Sequence, residues 1–250
     1  MIPTDAIPSD DRGLLLGDGL FETLLAVDGD APWLSAHLDR MAAGCEILNL
    51  PFDRDEAERL VREAAPAEGR FAVRLTLTAG SGGRGLDRPA APVVRLFATA
   101  APSVAIATSA TLIVARTRRN EGSPVSRLKT LSYLDNVLAR AEAKSAGADE
   151  AVMLNNRGEV ACAGAANLFW ISGGRLFTPR LDCGALAGIT RARLLALETV
   201  EEIAVGVAAL ETADAIFLTN SLIGVRPVSR LGDRAFEAHP LVERLRELLG

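Results

Sequence analysis

Cysteine, lysine and long apolar runs are scarce in this 250-residue sequence, and each shortage excludes a class of protein. The three cysteines, Cys45, Cys162 and Cys183, are odd in number and widely spaced, so they predict neither a disulfide framework nor a set of zinc ligands. No apolar run approaches the roughly 18 residues that a membrane helix needs, and no charged-then-apolar signal begins the chain. We therefore expect a soluble protein of the reducing cytoplasm that does not bind membranes.

Charge of one sign is also not concentrated anywhere. The 27 basic and 32 acidic residues give a net charge of −5 and are scattered without long blocks. This distribution argues against binding to nucleic acid and favours a small-molecule partner. The hydrophobic fraction of 49% and the chain length predict a buried core and allow two modest domains.

Lysine is the most informative shortage, because only Lys129 and Lys144 are lysines among the 27 basic residues. An arginine supplies positive charge but cannot deprotonate, so a retained lysine indicates amine chemistry. Lys144 lies in a polar, helix-like stretch and is most simply a surface charge. Lys129 is flanked by Leu128 and Leu131, which predicts a desolvated amine with a lowered pKa.

The order of elements predicts a mixed fold in two parts. Strand patterns cover residues 21–27 and 71–78, and an amphipathic helix covers 36–48. We place a first domain at 1–101, a connection at 102–107 and a larger domain at 108–250. In the larger domain we predict a helix over 131–145, hairpin strands at 151–154 and 160–162, and a long helix after Gly188 that extends through Ala204.

A phosphate could bind where the loop 184–188 opens into that last helix. The first backbone N–H groups of a helix have no internal partner and attract anions, here at Ile189 and Thr190. Ser221, which follows a strand, could add a hydroxyl. Equally, glycine and threonine here could merely begin a helix.

Seven segments, in order along nearly the whole chain, resemble the class IV (fold type IV) pyridoxal 5′-phosphate (PLP) enzymes. One is LKTLSYLDN at 128–136, which is similar to the lysine segment of the family. The others are GDGLFET at 17–23, HLDR at 37–40, GADEA at 147–151, AANLFW at 165–170, AGITR at 187–191 and TNS at 219–221. The family contains branched-chain aminotransferases, D-amino-acid aminotransferases and 4-amino-4-deoxychorismate lyases.

The resemblance implies a fold, an assembly and a set of roles. The fold is α+β, with a small N-terminal domain and a larger C-terminal domain that has a barrel-like β core, assembled as a homodimer. Lys129 forms the Schiff base with PLP and later carries a proton. Arg40 binds the PLP phosphate, together with the backbone of Ile189 and Thr190 and the side chain of Ser221. His37 shares a helix face with Arg40 and is expected to be structural.

The glycine-rich segment 80–85 and the segment 165–170 most resemble the lyases of the family, which form 4-aminobenzoate and pyruvate for folate synthesis. Arg84 is then a candidate to bind a substrate carboxylate, although a solvated surface arginine is an equal alternative. Arg74 could instead be a buried structural charge.

One residue departs from the family pattern. Most members have a glutamate against the pyridine nitrogen where this sequence has Cys162, and a thiol is a poorer partner for a protonated ring. Glu159 is three residues earlier, so on a strand it points to the opposite face. We expect a weakened electron sink, which a lyase tolerates better than a transaminase does. An aminotransferase for branched-chain or D-amino acids, or a catalytically weakened PLP-binding paralogue, is the alternative.

Overall fold

A three-stranded antiparallel sheet forms the centre of the first of two units. The computed structural model describes residues 6–82 and 85–249, and its contacts divide the chain into Met1–Val104 with Leu128–Tyr133, and Ala105–Arg127 with Leu134–Gly250. The first unit contains α1 (Arg12–Leu16), β1 (Gly19–Val27), α2 (Leu34–Leu48), α3 (Arg54–Ala64), β2 (Arg70–Thr78) and β3 (Arg95–Pro102). The strand order is β1-β2-β3.

Alternation along the strands places the core of this unit on one face of the sheet. Leu20, Leu24 and Ala26 of β1 are buried in one cluster with Leu38 and Met41 of α2. Residues that alternate with them, such as Phe21, therefore point to the other face. The predicted strands 21–27 and 71–78 and the predicted helix 36–48 are confirmed within two residues at each end.

The segment Leu128–Tyr133 belongs to the first unit by contacts, although its position in the chain lies within the predicted larger domain at 108–250. It pairs with the free edge of β1, since Phe21 donates to the Lys129 carbonyl at 2.9 Å and Leu131 donates to the Gly19 carbonyl at 3.0 Å. A Cβ atom on Gly17 would lie 2.4 Å from Ser132 Oγ, so the GDG segment leaves room for this approach. Because of this pairing, the predicted helix 131–145 begins only at Leu134.

A mixed sheet forms the core of the second unit. In chain order this unit contains β4 (Ala110–Val114), α4 (Leu134–Ser145), β5 (Glu150–Leu154), β6 (Val160–Ala163), β7 (Asn167–Ser172), β8 (Arg175–Pro179), α5 (Ile189–Leu197), β9 (Val200–Ile203), α6 (Ala208–Glu211), β10 (Ala215–Asn220), β11 (Gly224–Leu231), β12 (Arg234–Ala235) and α7 (Pro240–Leu249). Its described strands run β6-β5-β4-β11-β10-β7-β8-β9, with β12 beside β11. This curled, half-barrel sheet confirms the predicted α+β class and barrel-like core.

The prediction of one long helix from Gly188 through Ala204 is wrong. The helix α5 ends at Leu197, and Val200–Ile203 forms β9, which pairs in parallel with Leu176–Pro179 of β8. Valine and isoleucine favour an extended backbone, and the partner strand decides between the two structures. Across the described ranges 6–82 and 85–249, no helix is both long and apolar enough to cross a membrane.

Candidate active site

Lys129 lies beside two aromatic rings at the edge of the first unit's sheet. Its Nζ atom is 4.3 Å from the centroid of the Phe21 ring and 5.1 Å from that of Tyr133. The two rings meet edge to face with centroids 5.0 Å apart. The amine makes no hydrogen bond to any residue that the structure describes. It is therefore held by packing and not by a fixed acceptor.

The electrostatic surroundings make this amine easier to deprotonate. Burial, with the positive charges of Arg40 and Arg74, lowers the pKa of Lys129 from 10.5 to about 8, against an opposing effect of Glu22. A neutral amine keeps its lone pair and can act as a nucleophile or proton acceptor. The lowered pKa predicted for Lys129 is thus confirmed, and Lys144 is exposed on α4.

Arg40 is held by a buried carboxylate in the same unit. Glu22 accepts hydrogen bonds from Arg40 Nε at 2.8 Å and from Arg40 Nη2 at 2.5 Å. His37 Nδ1 lies 2.7 Å from Glu22 Oε2, so His37 contacts the same carboxylate. His37 and Glu22 are each only 1% exposed, which agrees with a structural place for His37. Glu22 was not predicted as a site residue, although it lies in the GDGLFET segment at 17–23.

Arg74 is a further candidate for the site that the sequence patterns did not predict. Its guanidinium carbon lies 3.7 Å from the centroid of the Phe21 ring that Lys129 also contacts. Arg74 is exposed, and it has neither an ion pair nor a hydrogen bond within the described part of the chain. The alternative of a buried structural charge is therefore wrong. The alternating pattern of β2 could have identified Arg74, because this charged residue lies between the buried Val73 and Leu75.

In the second unit, the start of α5 has the features of an anion site. Gly188 precedes the helix without a side-chain cap, and the first helical hydrogen bond runs from Ala192 to the Gly188 carbonyl. The amides of Ile189 and Thr190 therefore come before the helix's own hydrogen bonds. A Cβ atom on Gly188 would lie 1.9 Å from Asn167 Oδ1, so only glycine fits here.

A buried hydroxyl lies near the same helix start. Thr219 of β10 pairs with Asn167 of β7, and Asn167 Nδ2 donates to the Leu186 carbonyl at 2.8 Å. Thr219 Oγ1 is buried and has no hydrogen-bond partner among the described residues. Ser221 lies in the turn two residues further on. A ligand oxygen would satisfy such a group, since an unpaired buried hydroxyl is unfavourable.

Cys162 is buried on β6, opposite Met153 of β5. Burial raises the pKa of its thiol, with a smaller opposing effect of Arg119, so the thiol is neutral. Glu159 does not supply a carboxylate at the position of Cys162. Its side chain instead accepts hydrogen bonds from Asn155 at 2.7 Å and from Arg157 at 2.9 Å.

Arg84 lies outside the described residues, so its predicted role stays a prediction. The segment that follows it is anchored by Arg12, whose guanidinium donates to the carbonyls of Leu86 at 2.8 Å and Asp87 at 3.1 Å. Arg12 also bonds Asp18 at 2.9 Å, and Asp18 in turn bonds Arg88. Sequence patterns do not predict this network, because Arg12 and Arg88 are far apart in the chain.

The donors present in each unit fit PLP. The first unit has an amine with a lowered pKa and the Arg40 guanidinium, and the second has unbonded helix amides and the buried Thr219 hydroxyl. An amine can bond to an aldehyde, while guanidinium, amide and hydroxyl donors suit a phosphate. When bound, PLP supplies an aldehyde and a ring that absorbs negative charge from a substrate carbon. A PLP enzyme is the class that these residues define.

Comparisons with known proteins agree with that class. The family model of amino-transferase class IV matches residues 19–231. A Methanocaldococcus jannaschii protein provisionally named a branched-chain-amino-acid aminotransferase is 33% identical, covering 95% of this chain and 87% of its own. An aminodeoxychorismate lyase of Vibrio harveyi is 30% identical, over 91% of this chain and 88% of that one. The crystal structure of 4-amino-4-deoxychorismate lyase from Pseudomonas aeruginosa is 34% identical with a TM-score of 0.91, covering 99% of this chain and 95% of that chain.

The chain therefore belongs to the class IV aminotransferase family, and it is a PLP-dependent enzyme.

Proposed function

We propose that this enzyme is a lyase that converts 4-amino-4-deoxychorismate into 4-aminobenzoate and pyruvate, a step towards folate. The observation that carries the proposal is that the Arg74 guanidinium, which has no ion pair or hydrogen bond among the described residues, contacts the same aromatic ring as the Lys129 amine. Both groups contact the ring of Phe21, so one small molecule can reach both. A substrate with an amine and a separate carboxylate suits this pair, because guanidinium groups bind carboxylates by paired hydrogen bonds.

Lys129 has two roles in this proposal. Its amine would hold PLP through the aldehyde that the cofactor supplies. Lys129 would also remove the proton from the substrate carbon that carries nitrogen and return it to the methylene carbon of the departing enolpyruvate. The C–O bond to the enolpyruvyl group breaks, the ring becomes aromatic, and 4-aminobenzoate and pyruvate both leave, so atoms and protons balance. We assign Arg40, Ile189, Thr190 and Ser221 to the phosphate.

Cys162 supports the lyase over a transaminase. We place it beside the pyridine nitrogen, where a neutral thiol stabilises a protonated ring less than a carboxylate does. Transamination depends on charge passing into the ring and on reprotonation of the cofactor carbon. The lyase reaction gains free energy from its aromatic product, so it depends less on the ring.

An aminotransferase acting on branched-chain or D-amino acids is the second candidate, favoured by the 33% identity to the Methanocaldococcus jannaschii protein. The exposed charge of Arg74 is unfavourable beside an apolar branched side chain. The third candidate is a catalytically weakened PLP-binding paralogue, and the lowered pKa of Lys129 disfavours it.

A substrate panel tests the proposal. The purified protein is incubated with 4-amino-4-deoxychorismate, and separately with branched-chain or D-amino acids plus 2-oxoacids. We expect release of 4-aminobenzoate and pyruvate in equal amounts and little amino transfer. Amino transfer as the dominant reaction would replace the lyase by the second candidate, and no turnover would favour the paralogue.

The role of Arg74 has a matched control on the same strand. Arg74→Met should raise KM for 4-amino-4-deoxychorismate about 10- to 100-fold, the usual effect of losing a hydrogen bond to a charged group. PLP affinity should not change. Arg70→Met is the control, because Arg70 lies on the same face of β2 but bonds Ser103 at 2.7 Å. An equal KM in both variants would remove Arg74 from the substrate site.

We further propose a homodimer in the cytoplasm, on the strength of the family resemblance. Light scattering after size exclusion measures the mass, and a monomeric active enzyme would reject the dimer. Cell fractionation checks the location.

A further inference from the structure

Glu22 is a buried carboxylate that the proposed reaction does not use directly. It lies on β1 and is 1% exposed, so its charge requires partners. Both of its oxygens accept from Arg40, one from Nε and one from Nη2. Such paired contact fixes the plane of a guanidinium as well as its position.

The carboxylate stays charged throughout the working range of pH. Burial alone would raise the pKa of Glu22, but Arg40 and His37 together hold it at about 2. Glu22 therefore carries a negative charge beside Arg40 across this range of pH. Glu22 follows Phe21, whose amide donates to the Lys129 carbonyl at 2.9 Å, so this carboxylate lies on the strand that holds the lysine. Arg40 lowers the pKa of Lys129 and Glu22 raises it, while Arg74 and the rings of Phe21 and Tyr133 also face this amine.

We propose that Glu22 is a positioning residue of the PLP site, which holds the Arg40 guanidinium in the orientation that binds phosphate and screens its charge from the Lys129 amine. The proposal rests on the function assigned above to Arg40 and Lys129. It goes beyond that function because it assigns two separable effects, geometry and charge, to one buried carboxylate.

Two variants separate these effects. Glu22→Gln keeps the shape but removes the charge, and its amide N–H₂ faces the donating Nη2 of Arg40. Glu22→Asp keeps the charge but is one methylene shorter, so it cannot accept from both nitrogens in the same geometry. Glu46→Gln is the control for net charge, because Glu46 is an exposed glutamate of α2.

The first readout is the titration of Lys129 in the full chain freed of PLP. Reductive ¹³C-methylation labels the amines, and the chain has only Lys129 and Lys144 as labelled side chains. In Glu22→Gln the pKa of Lys129 should fall by about one unit, because Arg40 then acts unopposed. It should stay near the wild-type value in Glu22→Asp and Glu46→Gln, and Lys144 should not move. An unchanged Lys129 in Glu22→Gln would overturn the screening effect.

The second readout compares the affinity for PLP with that for pyridoxal, which lacks the phosphate. Both Glu22→Gln and Glu22→Asp should bind PLP about tenfold more weakly while binding pyridoxal normally. Arg40→Ala must show the same selective loss if Arg40 binds the phosphate. If Arg40→Ala loses no PLP selectivity, the proposed function of Arg40 fails. If Arg40→Ala loses selectivity for PLP over pyridoxal but neither Glu22 variant does, the positioning role of Glu22 is overturned. If Glu22→Gln does not fold, Glu22→Asp alone still decides the positioning role.

Discussion

Phe21 and Lys129 are joined twice in this structure: the Phe21 amide donates to the Lys129 carbonyl at 2.9 Å, and the Phe21 ring lies 4.3 Å from Lys129 Nζ. The backbone bond ties the lysine to the edge of β1. The amine is therefore placed by a strand of the sheet and not by a free loop, which suits a group that must meet a cofactor in one geometry.

Loss of the lysine amine should abolish covalent attachment of PLP. Lys129→Ala has no amine, so we expect no PLP adduct after borohydride reduction and no turnover. Lys144→Ala is the matched control and should keep both, because Lys144 is exposed on α4. Mass spectrometry of the reduced protein locates the adduct. An adduct and normal turnover in Lys129→Ala would disprove the assignment.

The lowered pKa of Lys129 predicts a pH dependence of stability. Because the pKa falls from 10.5 in the unfolded chain to about 8 in the fold, the unfolded chain binds more protons between these values. Stability should therefore rise with pH across this window, and below pH 8 the amine costs on the order of 3 kcal/mol. Lys129→Met lacks this cost.

Urea unfolding of the PLP-free proteins measures the effect. The advantage of Lys129→Met over wild type should be largest at pH 7 and disappear as pH rises towards 10.5. Lys144→Met should show no such trend. A constant difference between Lys129→Met and wild type over the window would contradict a lowered pKa.

Replacement of Cys162 by glutamate tests whether this residue lies beside the pyridine nitrogen, where most members of the family have a carboxylate. If Cys162 faces the pyridine nitrogen, Cys162→Glu should raise the pKa of that nitrogen and strengthen the electron sink. Single-turnover rates should then increase more for a transaminase half-reaction than for the lyase reaction. Cys162→Ser is the control without charge. A folded, PLP-binding Cys162→Glu with unchanged rates and spectrum would show that Cys162 is not beside the nitrogen.

The glycine before α5 should not tolerate a side chain. In Gly188→Ala the new Cβ would overlap Asn167 Oδ1 at 1.9 Å, so Asn167 or the helix start must move. We expect a loss of about 1–3 kcal/mol in unfolding free energy and weaker PLP binding. Gly206→Ala is the control, since its Cβ would meet only the Gly158 carbonyl at 3.8 Å. Equal stability and equal PLP affinity in the two variants would contradict the prediction.

Local patterns were sufficient for much of the fold. Strand alternation at 21–27 and 71–78 and the helical period at 36–48 depend on neighbours in sequence, and the structure has these elements. The same patterns failed at Val200–Ile203, where pairing with a distant strand overrides the helical spacing.

The sequence by itself determined the family and singled out Lys129, because seven short segments and a near absence of lysine can be read along the chain. The tertiary structure alone decided that Glu22 pairs with Arg40, that Arg74 has no ion pair or hydrogen bond among the described residues, and that the Lys129 segment joins the first unit. Each of these depends on groups that are distant in sequence and meet only after folding. Local periodicity carries no information about which buried charge finds a partner, and this choice sets the electrostatics of the site.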